Sequence, residues 1–193
     1  LAVTITNVNE APVITSNGGG ATAGVSVAEN QTAVTTVASR DVDGGTPTYS
    51  IVGGADAALF TIDSATGVLT FNAAPNYEAP ADAGDNNVYD VIVQVADGNG
   101  GPDTQAIAVT IMNVNEVPVI TSNGNGAAAV VSVSENQTGV TTVTSSDVDG
   151  GTPIYSIVGG ADAALFSIDS ATGVLTFNAT PNFEAPADAD GDK

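Results

Sequence analysis

Apolar and polar positions alternate along much of this chain. In Val88–Val95, Tyr89, Val91, Val93 and Val95 fall on one side, with Asp90 and Gln94 on the other. Ile107, Val109 and Ile111 keep the same period of two. Successive side chains of an extended backbone point to opposite faces, so this period predicts strands with one buried face. Shorter runs rich in β-branched residues predict further strands at Val13–Thr15, Val25–Val27, Val34–Ala38, Thr48–Val52, Phe60–Ile62 and Val68–Phe71, and Gln105–Met112 completes the set. Turn signals separate them: Gly18-Gly19-Gly20, Gly44-Gly45-Thr46-Pro47, Gly53-Gly54, Asp63–Gly67 and Gly98–Pro102. No stretch holds a helical period for long; Ala55–Leu59 suits a single turn. Short strands at this spacing predict an all-β chain built as a Greek-key β-sandwich.

The unit is written almost twice. A shift of 106 lays Leu1–Ala83 on Ile107–Ala189 with 69 of 83 positions identical. VTITNVNEAPVIT from Val3 returns as VTIMNVNEVPVIT from Val109. Tandem β-sandwiches are therefore expected. Residues 1–10 would be the last strand and linker of a preceding unit, 11–116 a complete repeat with its linker, and 117–193 a second repeat lacking its last two strands. This phase, and the absence of a signal segment at the start, predict a mature chain or an internal piece of a longer polypeptide. An alternative is that Leu1–Val8 pairs into the open edge of a neighbouring chain, as unpaired edges invite strand addition.

Charge narrows the function. The chain holds 22 acidic residues and two basic ones, Arg40 and Lys193, a formal charge of −20. Nucleic-acid binding needs cations to replace phosphate counterions, and two cannot serve. With no Cys and no His, disulfides, thiolate or imidazole metal sites and Cys- or His-based nucleophilic catalysis are excluded. No apolar run reaches the ~20 residues of a membrane-spanning helix. Near-absence of Lys and Arg fits a soluble surface outside the cell.

The acids cluster between strands, in four places per copy. These are Glu29-Asn30-Gln31, Asp41-Val42-Asp43-Gly44, Pro75-Asn76-Tyr77-Glu78 and the inter-unit stretch Asn7–Pro12, which recurs as Asn113–Pro118. Oxygen donors two residues apart suit a large hard cation; calcium takes 6–8 oxygens, amides and carbonyls included. Two unit charges ~4 Å apart repel by ~4 kcal/mol at an effective dielectric of 20, so such grouping calls for a counter-ion.

The set Ala28-Glu29-Asn30, Asp41-Val42-Asp43, Asn76-Tyr77-Glu78 after Pro75, Phe60–Phe71 and the Asn113–Pro118 linker resembles cadherin repeats, in the form found in bacterial cadherin-like surface proteins. The resemblance covers essentially the whole chain. It implies calcium (Ca2+) bound at junctions between successive units. The internal junction would use Glu29, Asn76 and Glu78, the linker residues Asn113, Asn115 and Glu116, and Asp147 with Asp149. An N-terminal junction, incomplete in this chain, would use Asn7, Asn9, Glu10, Asp41, Asp43 and Asp97. The linker carries Asn where the family favours Asp, and Asn76 also replaces an Asp, which lowers the formal charge and the expected affinity or ion count.

Other acids suggest simpler roles. Asp63 is expected to form the Asp63–Gly67 turn. The Asp82–Asp85 and Asp188–Asp192 loops lack the following Glu of a calcium loop and are expected as surface loops. Tyr49, Phe60, Phe71 and Tyr89 sit at strand positions and are expected to fill the core. A glycosidase pair would need a cleft that linker positions do not offer, so no enzyme is expected. The sequence thus predicts a calcium-dependent structural or adhesive repeat of an extracellular bacterial protein, partnered by neighbouring repeats of the same or an identical chain. A glycan- or protein-binding module and a subunit of a strand-exchanged filament are the alternatives.

Overall fold

The computed structural model describes residues 1–189. It is built from β-strands with two single 3-10 turns, and it divides into two compact units, Leu1–Val114 and the segment from Asn115 onward.

In the first unit the strands are β1 (Val13–Ile14), β2 (Thr22–Ala28), β3 (Ala33–Thr36), β4 (Ser39–Arg40), β5 (Thr48–Gly53), β6 (Phe60–Ile62), β7 (Val68–Phe71), β8 (Val88–Ala96) and β9 (Asp103–Met112). One sheet has the order β2-β9-β8-β5, a second β3-β7-β6, and β1 pairs with β4. All pairings are antiparallel except β2 with β9, which run parallel. Each strand predicted between Val13 and Met112 falls on an observed one; β4 is additional. A 3-10 turn at Ala57–Leu59 occupies the place where one turn is expected.

The period of two is realised as burial. Tyr89, Val91, Val93 and Val95 of β8 and Ile107, Val109 and Ile111 of β9 are buried, facing Leu69 and Phe71 of the other sheet. Phe60 stacks on Phe71 at 4.4 Å between centroids, and Tyr89 meets Phe71 edge-on at 5.1 Å, so the aromatic residues bind the two sheets. The Tyr49 ring is buried and its hydroxyl lies 2.9 Å from the Ser39 hydroxyl.

The second unit repeats part of this plan. Its strands are β10 (Val119–Ile120), β11 (Gly139–Thr142), β12 (Ser145–Ser146), β13 (Phe166–Ile168) and β14 (Val174–Phe177), paired as β10-β12 and β11-β14-β13. Among the described residues it has no counterpart of β8 or β9. The consequence is visible at Val158, the counterpart of Val52: it is 97% exposed against 50%, and its segment forms no strand. Strand formation there needs a ladder partner, and β8 supplies one only in the first unit.

Leu1–Val8, expected as the last strand of a preceding unit, forms no strand here. Its counterpart in β9 is held between β2 and β8, and no such partners flank residues 1–8. One expectation needs correction: the Asp82–Asp85 loop is not a plain surface loop. Asp82 is only 3% exposed and accepts backbone N–H groups from Gly84, Asn86 and Asn87, each at 3.0 Å. Of the matching Asp188–Asp192 loop, residues 190–192 lie outside the described segment. Asp63 behaves as expected: its Oδ1 accepts the N–H groups of Ala65 and Thr66 and the Thr66 hydroxyl.

Candidate metal centres

The short strands leave their connecting loops at the two ends of the first unit, and the acids gather there. At one end lie all six residues expected for the N-terminal junction. Asp43 is the centre. Its Oδ1 accepts from the Asn7 amide at 2.5 Å and its Oδ2 from the Glu10 backbone N–H at 2.6 Å. Asp41 Oδ1 in turn accepts the Asp43 N–H at 2.8 Å, an Asx turn that fixes the spacing of the two carboxylates. Asp97 is brought in from the end of β8: its Oδ2 accepts from the Asn9 amide at 3.0 Å and its Oδ1 from the Asn99 N–H at 2.8 Å.

This cluster is an oxygen cage with little to neutralise it. The Asn9 amide nitrogen has three oxygens around it, Glu10 O, Asp97 Oδ2 and Asn99 O, at 2.7, 3.0 and 2.5 Å. Asp41 Oδ2 is shielded from solvent and receives no hydrogen bond among the described residues. The Asp43 carboxyl, beside Glu10 in hydrogen-bonding reach and with its charge, pushes the Glu10 carboxyl above its usual range. The Asn7 amide and the Glu10 N–H hold Asp43 below its own, and the Asn99 N–H with the Asn9 amide does so for Asp97. Carboxylates kept ionised beside one that resists ionising are what a divalent cation would relieve.

At the other end of the first unit, Glu29 directly follows β2 and is 3% exposed. Its two carboxylate oxygens accept the Tyr77 N–H at 2.9 Å and the Val114 N–H at 2.8 Å. The Glu29 N–H donates to Met112 O at 3.1 Å, so one residue ties β2, the Pro75–Glu78 loop and the end of β9 together. The Asn113 amide donates to Glu78 Oε1 at 3.1 Å, and Glu78 Oε2 is shielded with no hydrogen bond among the described residues. Asn76 lies in the same loop, but its Oδ1 accepts the Ala79 N–H at 2.9 Å and closes that turn.

The remaining residues of the expected internal set belong to the second unit. There the Glu116 N–H donates to Asp149 Oδ2, the Asp149 N–H to Asp147 Oδ1 at 3.1 Å, and the Asn115 amide to Glu116 O at 2.7 Å. These three bonds repeat Glu10–Asp43, Asp43–Asp41 and Asn9–Glu10 of the first unit. The second unit also repeats the Glu29 arrangement: Glu135 Oε2 accepts the Phe183 N–H at 3.1 Å.

Sequence reasoning overlooked Asp56, which accepts the N–H groups of Ala83 and Asp90, both at 2.7 Å. With Asp82 it pins the loop before β8, a structural duty with no metal geometry. Its only signal in the sequence is an Asp following two glycines at a strand end.

Residues 24–115 match the model of the cadherin domain family. The sequence is 30% identical over 158 residues, 78% of this chain, to human Protocadherin Fat 4, of which it spans 3%. It is 25% identical over 152 residues, 72% of this chain, to mouse Cadherin-related family member 2, of which it spans 11%. The chain thus spans a small part of these curated relatives. Among solved structures it is similar in fold to human Protocadherin-24 EC1-2, with a TM-score of 0.54 at 20% identity, covering 92% of this chain and 82% of that one. Mouse Cadherin-23 EC22-24 gives 0.52 at 22% identity, covering 90% and 56%.

Proposed function

With a cadherin domain at residues 24–115 as the premise, we propose that this chain is an extracellular, calcium-dependent structural or adhesive repeat whose inter-unit junctions are stiffened by the ion. The observation that carries this reading is the convergence of Asp41, Asp43 and Asp97 with Glu10, Asn7 and Asn9 from three separate segments of one unit. Cages of this kind suit calcium: hard oxygens, mixed carboxylate, amide and carbonyl, with no His and no Cys in the composition.

Each residue has a chemical task. Asp41, Asp43 and Asp97 supply charge, and Glu10 adds a further carboxylate beside Asp43. Asn7 and Asn9 now point their amide nitrogens at carboxylates; a cation favours the opposite rotamer, with Oδ1 directed inward. At the internal junction, Glu29, Glu78 and Asn113, with Asn76, form the first unit's share of ligands. Asn115, Glu116, Asp147 and Asp149 form the second unit's share. An ion gathering both shares would stiffen the linker. Without it, the grouped carboxylates repel.

Extracellular calcium modules bind at about 10⁻⁴–10⁻³ M. At a free concentration 100-fold above Kd, each independent site adds roughly 2.7 kcal/mol of stability. The bacterial surface setting belongs to this proposal and rests on the near-absence of Lys and Arg and on the near-identity of the two copies. Calorimetric titration of metal-stripped protein tests the reading: saturable heat with calcium supports it, and no binding at millimolar calcium overturns it.

A further inference from the structure

Asparagine followed by glycine is a reactive pair, because no Cβ on the glycine hinders its backbone nitrogen from reaching the preceding side-chain amide carbon. The chain holds Asn17-Gly18, Asn99-Gly100, Asn123-Gly124 and Asn125-Gly126. Backbone geometry ranks them. Ring closure needs the glycine nitrogen and the asparagine Cβ on the same side of the Cα–C bond, and a left-handed residue turns them to opposite sides. Asn17, Asn123 and Asn125 are left-handed, with φ of 51°, 53° and 60°, whereas Asn99 lies outside that region.

Side-chain bonds hold two of those three as well. Asn17 Oδ1 accepts the Thr35 hydroxyl at 3.1 Å, and its amide faces Gln105 Oε1 at 3.4 Å. Asn123 Oδ1 accepts the Thr141 hydroxyl at 3.1 Å. Asn99 is exposed, and the bonds that fix it run through its backbone. Its N–H donates to Asp97 Oδ1 at 2.8 Å, and its O accepts from the Asn9 amide at 2.5 Å. That second bond falls on the peptide group whose nitrogen, that of Gly100, is the nucleophile. A donor on the carbonyl oxygen stabilises the negative charge that builds on this group as the N–H proton leaves.

We propose that Asn99 is a self-modification site, at which the side-chain amide is lost by cyclisation onto Gly100, helped by Asn9, and water reopens the ring to leave a new carboxylate. The Gly100 nitrogen loses its proton and attacks Asn99 Cγ. The N–Cγ bond forms, the Cγ–Nδ2 bond breaks, and Nδ2 leaves as ammonia with the proton. Water then opens the imide at Cγ, giving aspartate, or at the backbone carbonyl carbon, giving isoaspartate. Water is the only co-reactant. Either product adds one negative charge to the segment bonded to Asp97 and Asn9. In the isoaspartate, the oxygen that Asn9 touches becomes part of a free carboxylate, and the chain continues through the former side chain. The cluster therefore grows more acidic with age, by chemistry that does not rest on the calcium reading. Neighbouring carboxylates oppose the Gly100 anion, which salt and mildly alkaline pH offset.

The unmodified chain is incubated warm in EDTA and isotopically labelled water, digested with pepsin at acid pH, and mapped by mass spectrometry. Label is expected at Asn99 at least about tenfold faster than at Asn17, Asn123 or Asn125, since each of those sites must first open locally. In urea, where that geometry is gone, the four sites label at similar rates. Asn9→Ala slows Asn99 in the folded chain and leaves its rate in urea unchanged. An Asn99→Ser chain lacks the first acidic species on ion exchange. Asn9 and Asn99 are both exposed, so neither variant opens the core. Asn99 remaining unlabelled, equal rates at the four sites of the folded chain, or an Asn9→Ala chain that reacts as fast as the unmodified one overturns the proposal.

Discussion

The Glu29 carboxylate accepts the backbone N–H of Val114 at 2.8 Å, across 85 residues of sequence. Its other oxygen takes the Tyr77 N–H, which leaves the side chain bonded to both the loop and the end of β9. Glu29→Gln keeps the shape but turns an NH2 group toward one of these donors. An unsatisfied buried group costs about 1–3 kcal/mol. A loss of that size in denaturant unfolding of metal-free protein is expected. Calcium should then recover less stability than in the unmodified chain, since one ligand charge is gone.

Asp43 is exposed, and its carboxylate accepts the Asn7 amide and the Glu10 N–H, which hold it below its usual range. Asp43→Asn weakens those bonds but also removes the neighbour that, by hydrogen bond and charge, keeps the Glu10 carboxyl above its usual range. The two effects oppose, so in EDTA the variant should melt close to the unmodified chain. In millimolar calcium it should fall behind. A variant that melts far below the unmodified chain in EDTA would show that Asp43 is needed for folding itself.

Gly67 lies in the left-handed region at φ +72°, and a Cβ there would stand 2.1 Å from Val37 O. The same contact binds the fold: the Val37 N–H donates to Gly67 O at 2.8 Å. Gly67→Ala should cost about 2–5 kcal/mol, adding the backbone penalty to overpacking. Gly18 has φ +89° with open space around it. Gly18→Ala should therefore cost only the backbone part, about 1–2 kcal/mol. Equal losses in urea unfolding would refute the role of the Val37 contact.

Burial pushes the Asp82 carboxyl up, but N–H groups from Asn86, Asn87 and Gly84 outweigh it and hold the group below its usual range. Thr66 and Ala65 do the same for Asp63. A depressed carboxyl contributes stability that is complete above its unfolded value, about 3.9 for Asp, and is lost as pH falls through the folded value. Metal-free protein should therefore lose stability below about pH 4, and Asp82→Asn should flatten that fall. An unchanged acid limb in Asp82→Asn would contradict this assignment.

The local pattern made the first unit readable. Tyr89, Val91, Val93 and Val95 announce their shared face by spacing alone, and Asp63 announces its turn because its bonds reach only three residues ahead. Asp82 was hidden because its burial depends on the path of the backbone around it, with positive φ at Asp85 and Asn87. The second unit shows the limit most clearly. Ser156-Ile157-Val158 repeats Ser50-Ile51-Val52 letter for letter, yet only the earlier copy is a strand. Pairing with β8 decides that, and pairing is not a property of three residues. For the metal clusters, composition and spacing named the acids. The hydrogen bonds that tie Asp43 to Asn7, Glu10 and Asp41, and Asp97 to Asn9, became visible only in three dimensions.

Thermal unfolding of the whole chain, recorded in EDTA and again in millimolar calcium, bears most directly on the claim that the acidic clusters hold a structural ion. The account predicts a transition several degrees higher with calcium, a shift that magnesium at equal concentration does not reproduce and that disappears in an Asp41→Asn, Asp43→Asn, Asp97→Asn, Asp147→Asn, Asp149→Asn variant. Superimposable melts of the unmodified chain with and without calcium would contradict it.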